Sequence, residues 1–195
     1  MRPLTLAQIA AYTDGQAIGD GLVHNVVIDS REAAAGSLFI ALPGERVDGH
    51  QFVSDVLAKG GYAVVKEGTH EGPGVVQVGD PLLALQELAK GYLADFPVPV
   101  IAITGSNGKT STKDMVTQVL STEYAVHATA GNYNNEIGVP LTVLGLEEHH
   151  ELLVVEMGMR GLGQIRRLTE ISPPNYGVIT NIGPVHLELL GGLGN

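Results

Sequence analysis

Residues 100–112 read VIAITGSNGKTST and carry the densest set of groups in this chain that could hold a phosphate. The ammonium of Lys109 is a point charge for phosphate oxygens, the hydroxyl of Thr110 can ligate magnesium, and Gly105 and Gly108 let backbone amides come close. The common phosphate-loop spacing needs a glycine six residues before the lysine. Here Ile103 stands at that position and Gly105 lies four before. The stretch is therefore either a shortened phosphate loop or a glycine turn beside an ordinary solvated lysine. VIAIT has the apolar character of a buried strand, and Met115, Val116, Val119 and Leu120 are predicted on one face of the helix that follows. That is the strand-loop-helix setting the motif requires.

Other polar groups gather at the ends of apolar runs. Glu156 closes LLVVE, and Thr180-Asn181 closes YGVIT. Open parallel sheets bind ligands at the carboxyl ends of their strands. A carboxylate there can hold the magnesium that phosphates demand.

The elements that must position these groups follow from periodicity. VIAIT, LLVVE and YGVIT alternate with the helical stretches KTSTKDMVTQVL and GQIRRLTEI, which predicts a doubly wound parallel sheet. Before it, Thr5 and Gln8 stand at capping-box spacing for a first helix reaching about Tyr12. VVIDS, SLFIAL and YAVVKE are short strand-like runs, with FVSDVLAKG at helical spacing between the last two. Asp80-Pro81 reads as a helix start, cap then proline, and the helix is predicted to run to Phe96. The fold class is thus α/β, with a small α+β domain over 1–80. A linker helix and an incomplete sheet domain over 81–195 follow.

The 195 residues are 44% hydrophobic, enough to fill a core, and 11 basic against 21 acidic residues leave a net charge of -10. That field repels nucleic acid and anionic lipid, so any anionic ligand must be held by local groups. The absence of cysteine and of an apolar run long enough to span a bilayer leads to the expectation of a cytoplasmic protein that binds no membrane. His149 and His150, in EEHHE, read as solvated.

The loop GSNGKTS, Gly105 to Ser111, resembles the shortened phosphate loop of the Mur ligases, which they share with folylpolyglutamate synthetases. GNYNNEIGVPLT from Gly131, VVEMGMRGLGQI from Val154, NIGPVHLELLG from Asn181, DSR at Asp29 to Arg31 and FIALPGERVDGHQF from Phe39 extend the resemblance over nearly the whole chain. The family has three domains, and the chain resembles the first together with the opening part of the central, ATP-binding one.

The resemblance implies ATP and Mg2+ as cofactors. Gly105, Ser106, Asn107, Gly108, Lys109, Thr110 and Ser111 would bind phosphate, and Thr110, Glu156 and His186 would ligate metal, with Lys109, Glu156 and His186 as the catalytic set. Without the motif, His186 would read as a packed or surface histidine. Ser30, Arg31, Glu45, Arg46 and Val47 would hold a uridine nucleotide, and Asn132, Asn134 and Asn135 would face the acceptor substrate. Read without the resemblance, Arg31 is a surface ion-pair partner and the asparagines are turn residues.

The implied reaction joins D-alanyl-D-alanine to UDP-N-acetylmuramoyl-tripeptide through an acyl phosphate, in a monomer. The modified lysine that helps hold the family's second metal, and the adenine and dipeptide contacts, would lie beyond Asn195, so this stretch alone is expected to be inactive. Two alternatives stay open: the related ligase that adds the third peptide residue, and a nucleotide-binding module without ligase chemistry.

Overall fold

The computed structural model describes residues 1–44 and 47–183. Two compact units result, Met1–Tyr92 and Leu93–Asn195.

The first unit contains β1 (Leu4–Thr5), α1 (Leu6–Thr13), β2 (Gln16–Ile18), β3 (Leu22–Val23), β4 (Asn25–Val27) and β5 (Ser37–Ile40). A 3-10 turn (Gly49–Phe52), α2 (Val53–Ala58), β6 (Tyr62–Lys66) and β7 (Val75–Val78) follow, and α3 (Pro81–Ala94) leads out of it. Its main sheet runs β2-β7-β6-β5-β4. β2 is antiparallel to β7, and the remaining pairs are parallel. β5 is buried along its whole length because both faces are covered, and Phe39 and Ala41 join Val53, Val56, Ala63, Val65 and Val75 in one core cluster.

The capping box at Thr5 and Gln8 forms as read, with both reciprocal bonds present. The Asp80 carboxylate accepts the N–H groups of Leu82 (2.8 Å) and Leu83 (3.1 Å), so the predicted start of α3 is also found. The sequence puts the division between domains at Asp80, whereas the compact unit runs on to Tyr92. The reason is packing: Tyr92 is buried, its hydroxyl accepts the N–H of Arg2 (2.7 Å), and Gly91 lies against the ring of Tyr12.

The second unit contains β8 (Val100–Thr104), α4 (Lys109–Leu120), β9 (Val126–Ala128), α5 (Gly138–Leu144), β10 (Leu152–Glu156), α6 (Gln164–Ile171) and β11 (Tyr176–Ile179). Among the described residues its four strands are all parallel, in the order β11-β8-β10-β9. All three predicted strands are present. β11, however, is not buried: Tyr176 and Ile179 are exposed, since among the described residues this strand has a partner on one side only. The expected apolar face of α4 also differs. Met115 and Val119 point to solvent, while the covered stripe runs through Lys109, Lys113, Val116 and Leu120, with Lys113 its only fully buried member. Spacings of three and four residues place those positions toward the sheet. No helix among the described residues is long and apolar enough to cross a membrane.

At the β9 edge, His127 donates its Nε2 proton to the Thr142 carbonyl oxygen (2.8 Å). Its ring lies 4.9 Å from that of His150, which lies 4.0 Å from that of His149. His150 is thus packed and not simply solvated. Its Nδ1 accepts the N–H of Glu147 (2.9 Å).

Two expectations follow from these contacts. Asp80→Ala should lower unfolding stability by about 1 kcal/mol, the usual cost of a lost helix cap; an unchanged urea midpoint would show that the cap contributes nothing. Burial pushes the pKa of His127 and His150 below the ordinary 6.5. The unfolded chain therefore binds these protons more tightly, so stability is complete above pH 6.5 and is lost as the pH falls through the folded values. Denaturation midpoints should drop on acidification in that window, and His127→Gln should flatten the slope; an identical pH profile for the variant would rule out His127 as a contributor.

Candidate functional site

The parallel strands of the second unit bring three chain segments to one edge of the sheet. Glu156 pairs in register with Ile103, and Ile179 with Thr104, so the carboxyl ends of β10 and β11 flank that of β8. The glycine loop leaves β8 at this edge. Gly105 has φ 136°, and a Cβ there would lie 3.0 Å from both the N and O atoms of Asn181 and would collide with the Thr180 hydroxyl. Only glycine fits so close to the neighbouring strand end. Gly108, with φ 80°, takes the left-handed conformation at the N-cap of α4.

The loop is clamped to the end of β11. Ser106 N–H donates to the Asn181 carbonyl oxygen (3.0 Å), Asn107 N–H donates to Asn181 Oδ1 (2.8 Å), and the Thr180 hydroxyl donates to the Asn107 carbonyl oxygen (2.6 Å). The Ser106 hydroxyl accepts the N–H of Gly183 (2.8 Å). The amides of Ser106 and Asn107 are therefore already engaged, and the donors left for an anion are those of the first turn of α4, Lys109 to Ser111, which have no acceptor within the helix. Thr110 and Ser111 are exposed on that turn. The Lys109 ammonium lies over the loop, donating to the carbonyl oxygens of Gly105 (2.7 Å) and Ser106 (3.4 Å). Thr180 and Asn181 were legible in the sequence only as polar residues at a strand end; their role in bracing the loop was not.

Glu156, the last residue of β10, is 1% exposed. Its Oε1 accepts from Asn134 Nδ2 (2.7 Å), its backbone N–H donates to the Thr129 hydroxyl (3.0 Å), and its Oε2 is buried without a partner. A buried carboxylate oxygen without a donor is costly, and a hard cation is a suitable occupant of the free lone pairs. A carboxylate and a hydroxyl, as in Glu156 and Thr110, are of the oxygen-donor type suited to magnesium, which takes few protein ligands and keeps water and phosphate oxygens. No group of three or more His, Cys, Asp or Glu side chains among the described residues could hold a metal. His186 lies outside the described residues.

Of the three asparagines, Asn132 is exposed, Asn134 holds Glu156, and Asn135 Oδ1 accepts the N–H groups of Ile137 (3.1 Å) and Gly138 (2.8 Å) at the start of α5.

In the first unit a cavity of about 610 Å³ is lined by Ile28, Asp29, Ser30, Arg31, Phe39 and Val47 among others. Phe39, Leu42 and Phe52 supply apolar surface. Ser30, Arg31 and Val47, which the family resemblance groups together, all line it, while Glu45 and Arg46 lie outside the described residues. Arg31 Nε donates to both Asp29 oxygens (2.9 and 3.0 Å), and this pairing holds the Asp29 pKa down to about 2 and raises that of Arg31. The Arg31 side chain is nonetheless 88% exposed, so donors remain for a ligand. Lys59 Nζ donates to the Ser30 carbonyl oxygen (3.0 Å) and steadies the turn. On the far side, His50 Nε2 accepts the N–H of Lys66 (2.9 Å), so its proton sits on Nδ1 and is donated to Asp48 (2.7 Å).

Known proteins match both units of the chain. The profile of the Mur ligase middle domain matches residues 103–195, and that of the Mur ligase family catalytic domain matches 22–92. The UDP-N-acetylmuramoyl-tripeptide–D-alanyl-D-alanine ligase of Bacillus subtilis is 48% identical over 174 residues, covering 87% of this chain and 38% of that protein. The ligase of the same name from Escherichia coli is 36% identical over 195 residues, covering 99% of this chain and 43% of its own length. Among solved structures, MurF from Acinetobacter baumannii superposes with a TM-score of 0.92 at 36% identity, over 98% of this chain and 44% of that one. MurF from Thermotoga maritima in complex with ADP gives 0.78 at 34% identity, over 85% and 39%. The chain thus spans about two fifths of the length of the relatives it matches. With the two family profiles matched over 22–92 and 103–195, the chain belongs to the Mur ligase family.

Proposed function

We propose that this chain is the uridine-nucleotide and phosphate-binding part of an ATP-dependent, cytoplasmic ligase that joins D-alanyl-D-alanine to UDP-N-acetylmuramoyl-tripeptide. The observation that carries the reading is the buried Glu156 with its unpartnered Oε2, next to the strand that leads into the glycine loop. The names and ligands of the relatives supply the substrates.

In this reading the tripeptide carboxylate attacks the γ-phosphorus of ATP, an O–P bond forms, and ADP leaves with the electron pair of the broken bond. The dipeptide amine then attacks the acyl carbon, inorganic phosphate departs, and the amine loses a proton. Magnesium bound by Glu156 and Thr110 would neutralise charge on the phosphate oxygens. The first-turn amides of α4 hold phosphate oxygens at a helix N-terminus, where the dipole favours anions. Lys109 exchanges its loop carbonyl partners for the transferred phosphoryl group, adding positive charge where negative charge develops. In the first unit, the apolar floor of Phe39 and Phe52 suits a flat base, and the outer donors of Arg31 suit a diphosphate.

Two measurements test the two sites separately. In the full-length protein, Lys109→Ala should cut phosphate release by about 100-fold or more, since a preorganised charge at the transition state is lost. That release should depend on D-alanyl-D-alanine and not on a free diamino acid; near-unmodified release by the variant sinks the phosphate-loop role, and dependence on the diamino acid sinks the substrate assignment. For the first unit, calorimetry with a UDP-muramoyl peptide should show about tenfold weaker binding for Arg31→Ala, which leaves the Asp29 carboxylate facing the anionic ligand. Asp29→Asn should bind at least as well as the unmodified protein. The opposite order would remove the cavity from consideration.

A further inference from the structure

α4 buries a charge that the proposed chemistry does not use. Lys113 lies one helical turn beyond Lys109 and is 6% exposed, the only fully buried residue of its helix. A methionine or leucine would fill an inward helix position without the cost of desolvating an ammonium. Lys113 offsets that cost with two bonds: Nζ donates to the Thr129 carbonyl oxygen (2.9 Å) and pairs with Asp114 Oδ1 (2.8 Å). Asp114 is itself half exposed, so it does not explain why the lysine points inward.

Thr129 is the link that gives the buried charge a purpose. It follows β9, is 2% exposed, and its N–H donates to the Val154 carbonyl oxygen (3.0 Å) on β10. Its hydroxyl accepts the N–H of Glu156 (3.0 Å). The loop that begins at Thr129 returns to the same glutamate, for Asn134 Nδ2 donates to Glu156 Oε1 (2.7 Å) and the Asn134 carbonyl oxygen accepts the N–H of Gly158 (2.7 Å). The backbone and one carboxylate oxygen of Glu156 are thus both held by a loop whose first residue is held by Lys113. The other oxygen stays unpaired.

We infer that Lys113 is a positioning residue that fixes the Glu156 carboxylate relative to the phosphate-loop helix through Thr129, and that metal affinity depends on it. The inference rests on Glu156 being a magnesium ligand. Groups that orient a metal ligand without touching the metal typically change affinity by about 10- to 100-fold when removed. A carbonyl that loses its donor lets its loop move. The effect should then fall on the metal and not on nucleotide contacts made by the first turn of α4.

The test is binding of Mn2+ in the presence of ADP, read from loss of the free-ion electron paramagnetic resonance signal. It is run for the protein and for Lys113→Met, Lys113→Arg, Thr129→Val and Glu156→Gln, with circular dichroism to check folding. Lys113→Met should weaken Mn2+ by about tenfold or more while ADP binding without metal is unchanged, and Lys113→Arg, which keeps donors, should restore most of the loss. Thr129→Val should weaken Mn2+ in the same way, and carries the test if Lys113→Met does not fold. If Glu156→Gln weakens Mn2+ but neither Lys113→Met nor Thr129→Val does, the coupling is overturned while the metal site stands. Equal loss in Lys113→Met and Lys113→Arg overturns it too, since packing and not donation would then be the cause. No Mn2+ binding by the unmodified protein, or none lost in Glu156→Gln, overturns the metal reading beneath it.

Discussion

The close approach of Gly105 to Thr180 and Asn181 is the constraint on which the second unit's ligand edge depends. Two parallel strands in register end side by side, and the chain leaving β8 must turn within the space that the end of β11 allows. A side chain at 105 has no room there. The turn is short for the same reason: with Ser106 and Asn107 bonded to Asn181, the loop reaches Gly108 and starts its helix without the longer excursion of the common phosphate loop. The missing residues in the motif and the polar strand end are two sides of one fit.

The start of α4 settles what the helix can touch. Its inward stripe begins at Lys109, on the glycine loop, and passes through Lys113, at the end of β9, so one helix connects the glycine loop to the loop that grips Glu156. Lysines one turn apart serve different ends because their depths differ. Lys109, half-buried at the mouth, can exchange carbonyl partners for a ligand. Lys113, enclosed, keeps its partners and acts through them. An unpaired carboxylate oxygen deep in a sheet would otherwise be a liability of a few kcal/mol, and its persistence beside so many satisfied groups argues for a site built to receive charge.

Much of the architecture is legible in the sequence because it depends on local patterns. VIAIT, LLVVE and YGVIT supply strands and Thr5 and Asp80 cap helices, whereas the meeting of Ser30, Arg31 and Val47 in one cavity was implied only by the family resemblance. What sequence reading missed is set by partners far along the chain. β9 is three half-buried residues, VHA, whose strand character comes from β10. α5 contains Pro140 in its first turn and is started by the Asn135 side chain, so neither periodicity nor a plain cap announces it. On α4 a lysine takes the inward place that hydrophobicity assigns to Met115, so the apolar pattern does not show the covered stripe. Arg31 shows that two readings can hold together: it is the ion-pair partner of Asp29 and also lines the cavity.

A net charge of -10 sets the terms on which such sites can work. Nucleotides and their phosphates are repelled by the molecule as a whole, and at physiological salt that repulsion is screened over about 8 Å. Inside that distance only nearby groups count. On this chain they are oriented amides at a helix start, an ammonium lying over a glycine turn, a guanidinium partly balanced by Asp29, and a carboxylate that turns anion repulsion into cation attraction. Glu156 is the informative member. Beside a phosphate it would add to the repulsion if left alone, and its burial would make that worse. In the proposed site its placement is favourable with a cation between it and a phosphate, and the same residue would then make the edge unfit for a bare anion and fit for a metal-bound one.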